Sequence, residues 1–493
     1  MQNDNNNLPL PTGRPWFWSV FIFANIVWIV VLFWWFLDKP VFEITERIPG
    51  TDGEPLDASA ADVSSSSTIG SIFYASDDPP PPSSVKTSWP HFRGIGVDNI
   101  SVENIPLRDF ADGSSPTVLW AIDLGEGHAA PAVHNGRVYV LDYDEEAEAD
   151  ILRCLSLDTG EEIWRRGYNV KVRRNHGMSR TIPAVTDSAV VTIGPQCHVM
   201  AVHAVSGDFL WGIDLVREYG TEVPLWYTGQ CPFIDDTVAV IAPAGPQALL
   251  IGVHKMTGEV LWETPNRHNW RMSHSSVIPM EFYGRRIYVY VAIGGIVGVA
   301  ADGEDRGSIL FETSDFNNSV VAPSPVPISG DRIFMTAGYG AGSAMFRINY
   351  NQGDDKFSIT MTDRFGVRDA LASEQQTPLY YNNLLCAVLP KDAGAHRDQF
   401  VCADALDPTT IRWTSGQDEL FGLGPFIIAN DKFYILSDDG ILTVASISDR
   451  RFEKRGSVRI SNGVDAWGPM ALVEGRLLLR DSRRMFCIDL RYY

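Results

Sequence analysis

Two loops bring arginine, histidine and tryptophan together in an otherwise acidic chain. The first holds Arg173, Arg174, Asn175, His176 and Arg180; the second holds Arg267, His268, Asn269, Trp270, Arg271 and His274. Arginine forks donate paired hydrogen bonds to planar anions, so these loops are candidates to hold a carboxylate, a phosphate or an acidic partner loop. Trp226 with Tyr227, Gln375 with Gln376, and Trp467 recur at corresponding places farther along. The same residue types also pack over a core and bond neighbouring carbonyls, and both readings stand at this level. His176, His268 and His274 come from two different loops and lack the His-x-x-x-His spacing of a helical metal site, so no metal ligand is assigned. His91 and His128 are treated the same way. Gly338–Gly342 does not lead into a helix and reads as an inter-strand turn rather than a phosphate cradle. No Ser/His/Asp nucleophile arrangement is present, and no catalytic or cofactor-binding residue is assigned.

The elements that must position these loops are written as a repeat. Leu155–Trp164 alternates apolar and polar residues, turns at Thr159-Gly160 and ends on a tryptophan. Period two, a glycine for a positive-φ turn position and period two again make a β-hairpin. The pattern returns at Val202–Trp211 and Val253–Trp262, with weaker copies ending at Phe311 and Trp413. Successive closing aromatics are 47, 51 and 49 residues apart, then 102. A period near 50 with several strands per unit points to a β-propeller. Eight short strands beside a proline or a small residue begin the units, from Ala130-Pro131-Ala132 to Gly468-Pro469-Met470. The last unit, ending at Cys487–Leu490, has three strands. Val118–Leu124, ahead of the first unit, is predicted to supply its fourth and close the ring, leaving no open edge. The expected fold is all-β, an eight-bladed β-propeller over residues 89–493. Residues just before each inner strand, including those of the two basic loops, are expected to line one shared mouth.

The N-terminal region reads differently. Residues 1–14 form a short polar tail, expected in the cytoplasm. Residues 15–38 are apolar apart from a few positions, and Trp16–Leu37 alone gives 22 residues. At about 1.5 Å per residue this crosses a hydrocarbon core of about 30 Å, and aromatic clusters sit at both ends. A single-pass transmembrane signal anchor is predicted. Asn25 within it is either tolerated in a very apolar helix or contacts another membrane helix. Residues 39–88 are predicted to be an extended acidic tether rich in Pro and Ser; positions 41–80 carry eight acidic residues and one basic residue. The formal charge of −21 argues against nucleic acid as a partner. None of the six cysteines forms a Cys-x-x-Cys or adjacent pair. Cys386 and Cys402 lie in successive strand-like runs, either facing each other across an antiparallel pair or simply buried.

Residues 89–493 resemble the pyrroloquinoline-quinone-type (PQQ-like) β-propeller repeat proteins of bacteria. The resemblance rests on Trp89-Pro90-His91-Phe92-Arg93-Gly94, on Leu157-Asp158-Thr159-Gly160-Glu161, on Thr257-Gly258-Glu259-Val260-Leu261-Trp262 and on Gly338–Ser343. That family includes quinoprotein alcohol dehydrogenases and non-enzymatic scaffolds such as the propeller lipoprotein of the outer-membrane assembly machine. Both work outside the cytoplasm, which implies a propeller on the periplasmic side of the inner membrane. The enzymes typically carry an adjacent Cys pair, a catalytic Asp, and Glu and Asn ligands to Ca²⁺. This sequence has no adjacent Cys pair and no motif by which to place the others, so no catalytic residue is carried across. The resemblance implies a binding or scaffolding subunit of a membrane complex, contacting other subunits through its membrane helix, tether and propeller. Two alternatives remain: a quinone-dependent alcohol or sugar dehydrogenase, the one case requiring the quinone and Ca²⁺, and a ligand- or glycan-binding propeller.

Overall fold

Alternating strands punctuated by glycine turns fold back on themselves, and eight such antiparallel sheets arise from residues 68–492 in the computed structural model. The described residues are these together with Phe23, Asn25–Trp28 and Leu32. The chain divides into two compact units, Met1–Glu54 and Pro55–Tyr493. In the first, the described residues are helical and exposed, Asn25 among them. No helix among the described residues is long and apolar enough to cross a membrane. Most of the apolar run 15–38, the tail 1–14 and the tether as far as residue 67 lie outside the described residues.

In the second unit, blade 1 consists of Ala132–His134, Arg137–Asp144, Ala149–Ser156 and Glu162–Asn169, from the innermost strand outward. The inner strands of blades 2 to 5 are Ala184–Val185, Phe233–Asp235, Ile278–Phe282 and Val326–Ile328. Those of blades 6 to 8 are Leu379–Tyr381, Phe426–Ala429 and Ala471–Val473. Thr117–Asp123 pairs with Arg484–Asp489, placing Trp120 opposite Cys487, and closes the ring as blade 8's outer strand. The core has no single centre. Its apolar clusters straddle neighbouring blades, one joining Val138 and Leu155 of blade 1 to Leu477–Leu479 of blade 8 and Leu436 of blade 7.

The blades are joined by one recurring contact. Each has a β-bulge between its third and fourth strands, as between Cys154 and Leu155 in blade 1 and between Val118 and Trp120 in blade 8. Bulges re-aim the side chain that follows. Here that side chain is an aromatic ring in six blades, and in five of them a tryptophan leans onto the hairpin turn of the next blade. A Cβ added to Gly160 would lie 2.6 Å from the Trp120 ring; one at Gly207 would lie 2.6 Å from Trp164, and one at Gly258 2.7 Å from Trp211. The indole N–H then bonds a carbonyl of that turn: Trp120 to Leu157 O at 2.8 Å, Trp164 to Val205 O at 3.0 Å and Trp211 to Lys255 O at 2.9 Å. The Thr/Ser-Gly turn and the closing tryptophan are therefore two halves of one contact, made between successive repeats.

The tether expected over 39–88 requires correction. Ile72–Ala75 forms a fifth, outermost strand on blade 1, pairing Ile72 with Gly167 and Ala75 with Trp164. Arg166 lies over the Phe73 ring at 3.9 Å and Arg165 over Tyr74 at 5.6 Å. Val85 is buried. The short β-prone run Ile-Phe-Tyr found an edge to pair with, which average composition across an acidic, Pro-rich segment conceals. Cys386 and Cys402 are directly opposed in blade 6 and disulfide-bonded, whereas Cys154, Cys197, Cys231 and Cys487 are free and buried.

One buried charge is exceptional. Asp150 is fully buried in blade 1, accepts a bond from Tyr168 Oη at 3.0 Å and has no cationic partner among the described residues. Gly194 of blade 2 seals it, since a Cβ there would lie 2.5 Å from Asp150 Oδ2. Burial pushes its carboxyl up to about 7. The native state therefore holds a proton that the unfolded chain releases at an ordinary carboxyl value. Stability falls as pH rises from about 4 through 7. Asp150→Asn should flatten that part of the profile and, by urea unfolding at pH 8, stabilise the propeller by a few kcal/mol.

The inter-blade contact gives a second test. Trp164→Ala should cost about 3–5 kcal/mol in the same assay. Gly207→Ala should also destabilise, through its φ of +72° and the clash with the ring. In the double variant the clash is gone, so the two losses should sum to less than their separate values.

Candidate functional site

Inner strands converge on the propeller axis, so residues preceding them from distant repeats meet there. A cavity of about 110 Å³ is lined by His128 before blade 1, Arg180 before blade 2, Trp226 before blade 3 and His274 before blade 4. Glu374 and Gln375 before blade 6 and Trp467 before blade 8 complete it, with Tyr339 from a turn of blade 5. Phe92 forms a further wall, and it comes from outside the repeats. The segment from Trp89 to Ser101 runs through the central channel, Trp89 exchanging both main-chain bonds with Val133 at 2.8 Å. Val185 N donates to Pro90 O at 2.8 Å, and Ile428 N to Asn99 O at 2.9 Å. Arg93, almost fully buried, donates to the carbonyls of Thr377 and Pro378 across the ring. The Trp-Pro-x-Phe-Arg-Gly motif is thus a plug that ties together the inner strands of blades 1, 2, 6 and 7.

Of the residues expected at the mouth, Arg180, Trp226, His274, Gln375 and Trp467 line the cavity. Trp226 stacks between His274 and Tyr339, with ring centroids 6.2 and 5.7 Å away. Trp467 packs on His128 at 4.2 Å. Tyr227 stands beside them, donating its hydroxyl to Arg173 O at 2.8 Å. Arg180 Nη2 donates to the carbonyls of Asn175, His176 and Gly177 at 2.7, 2.9 and 3.2 Å. His176 contributes that carbonyl, while its side chain is exposed.

The remaining expectations need correcting. Arg174 is exposed and bonds Glu126 Oε2 at 2.7 Å, and Glu126 also takes Arg483 at 3.0 Å. Arg173 is exposed. Apart from His274, the second basic loop does not line the cavity: Arg267 and His268 face Glu312 at 3.6 and 3.4 Å, and Arg271 faces Glu222 at 3.4 Å. Trp270 is buried against Gly294 and Gly295. Acidic neighbours from other segments pair with Arg174, Arg267 and Arg271, which reduces the positive charge of the two loops. Among the described residues no three His, Cys, Asp or Glu side chains cluster as metal ligands. The rule that selected Gln375 and Trp467, position before an inner strand, also covers Glu374 and His128. Tyr339 follows no such rule, because it reaches the axis from a turn between the second and third strands of its blade.

Burial dominates the electrostatics. It pulls His91 and His274 down to about 4 and, with Arg480 and Arg180 adding repulsion, His128 down to about 3. It pulls Arg180 down to about 10 and raises the Glu374 carboxyl.

This architecture, eight meanders closed by an N-terminal strand around a small axial cavity, defines a repeat propeller. Residues 147–362 match the family model described as outer membrane protein assembly factor BamB. No curated protein matches the chain. Among solved structures, the quinohemoprotein alcohol dehydrogenase from Comamonas testosteroni is 11% identical, with a TM-score of 0.55 over 82% of this chain and 81% of its own. A europium-containing methanol dehydrogenase is 11% identical, with a TM-score of 0.54 over 80% and 89%. BamB from Moraxella catarrhalis is 10% identical, with a TM-score of 0.49 over 76% and 100%. At such identities the two dehydrogenases show a shared fold. Over residues 147–362 the chain is similar to the PQQ-like β-propeller repeat proteins.

The axial cavity, at about 110 Å³, is below the roughly 300 Å³ at which pockets for drug-sized ligands begin, and it adjoins a pocket of about 590 Å³ with which it shares Val320 and Tyr339. Cys386 and Cys402 are buried in blade 6 and do not line the cavity.

The three neutral histidines make acid sensitivity predictable. Unfolding lets each take up a proton at its ordinary value near 6.5, which the native state refuses. Their contribution is therefore fully present above pH 6.5 and lost as pH falls towards 4, at up to about 1.4 kcal/mol per pH unit for each histidine. Urea midpoints measured from pH 7 to 5 should fall, and the His91→Gln/His128→Gln/His274→Gln variant should show a flatter profile.

Proposed function

We propose that this protein is a membrane-anchored, extracytoplasmic propeller that serves as a binding or scaffolding subunit of a membrane protein complex. The observation that carries the reading is the match of residues 147–362 to the family model described as outer membrane protein assembly factor BamB. Three features support it. The apolar run 15–38 has the length and aromatic ends of a retained anchor. The Cys386–Cys402 disulfide belongs in an oxidising compartment. The rigid ring offers a broad rim of loops, and such rims host protein partners without altering the scaffold.

Isolated from cells in mild detergent, the full chain should migrate in a complex larger than its own 54.6 kDa plus the micelle. A variant lacking residues 1–38 should leave the membrane fraction. Migration as a lone monomer under several mild conditions would sink the scaffold reading. Alkylation of the unfolded, freshly isolated protein should modify four cysteines without reductant and all six with it. Six modified without reductant would overturn the extracytoplasmic placement.

A further inference from the structure

The axial cavity contains charges and hydrogen-bonding groups that the protein leaves unanswered. Arg180 pairs with no carboxylate among the described residues; Nη2 serves three carbonyls, while Nε is buried without an acceptor. Trp467 Nε1 is likewise a buried donor without an acceptor. Glu374, 7% exposed, has no hydrogen bond and no ion pair within 4 Å among the described residues, and Lys391 acts on its charge only at longer range. His128, 9% exposed, has its Nε2 3.1 Å from His176 O, a contact that requires the Nε2–H tautomer. Its Nδ1 then carries a lone pair, and Nδ1 is buried without a donor.

The cavity thus offers two donors, one of them cationic, and two acceptors, one of them a carboxyl. Arg180 enters from blade 2 and Glu374 from blade 6. They form no ion pair, although Tyr339 is close enough to both to feel each charge. Leaving such groups unpaired in a partly desolvated site costs free energy, which a complementary ligand recovers. A volume of about 110 Å³ is roughly three to four times a water's share of the liquid, room for a group of a few non-hydrogen atoms. The stacked Trp226 and Tyr339 rings add faces that favour a cation.

We propose that the axial cavity binds the headgroup of a small free amino acid, its carboxylate on Arg180 and Trp467 and its ammonium towards Glu374 and His128. The site goes beyond the scaffolding role and does not depend on it. It also selects against a peptide end, which carries one of the two charges but not both on the same carbon.

The test is calorimetric titration of the full chain in detergent with glycine and alanine, beside acetate and methylammonium as the separate halves. Glycine or alanine should bind at least about tenfold more tightly than either half, equivalent to about 1.4 kcal/mol. Glu374→Gln should remove the advantage of glycine over acetate. Trp467→Phe, which keeps the stack on His128 but loses the N–H, should weaken glycine and acetate alike. Arg180→Gln should abolish both, but Arg180 also secures residues 175–177, so the Glu374 and Trp467 variants decide if that one misfolds. Heat from neither amino acid at millimolar concentration would mean that water alone fills the cavity and would overturn the proposal. So would acetate binding as well as glycine, or glycine binding unchanged in Glu374→Gln.

Discussion

Four of the eight blade junctions are built on the seating of an indole ring over a glycine in the next blade. Each sheet is only four or, in blade 1, five strands wide and buries little by itself, so the apolar clusters have to be shared between neighbours. The bulge between the third and fourth strands turns the ring outward, and the left-handed glycine admits it at a distance no Cβ would allow. The N–H bond to the turn carbonyl fixes its angle. A dispersion contact, a desolvated hydrogen bond and a backbone conformation thus coincide at one point, at Trp120, Trp164 and Trp211. Where the pattern weakens the fold tolerates it: Trp262 sits over Gly307, yet its N–H finds no acceptor.

A closed ring of such contacts creates a channel, and a channel along the axis is a poor place to leave unpaired inner-strand edges. The N-terminal segment answers this in two ways. Thr117–Asp123 completes blade 8, and the stretch from Trp89 to Ser101 lies against inner strands on opposite sides. Arg93 is the means of that second contact, its guanidinium satisfied by carbonyls of its own turn and of blade 6 rather than by a carboxylate. The plug lies in the channel beside a cavity of about 110 Å³.

Most of the architecture was legible because its signals are local. Thr159-Gly160 and Trp164 lie within one hairpin, and the three-stranded last unit pointed to a missing strand that Trp120 could supply. The fifth strand at Ile72–Ala75 was not, because it exists only where blade 1 offers an edge, and its neighbours in sequence are acidic or Pro-rich. The site was half legible. Position before an inner strand found Arg180, Trp226, His274, Gln375 and Trp467. It could not show that Glu312, Glu222 and Glu126 would pair with Arg267, Arg271 and Arg174, since each pairing partner lies about 40 or more residues away.

The amino-acid sequence by itself determined the repeat, the number of blades and the way the ring closes, because period-two alternation, turn glycines and closing tryptophans act over about ten residues at a time. Tertiary structure alone decided which charges survive unpaired. Blade rotation about the axis brings Arg180, Glu374 and Trp467 to one cavity and carries Arg267 and Arg271 away to acidic neighbours. Coulomb pairing and desolvation depend on distance in space, which spacing along the chain does not encode.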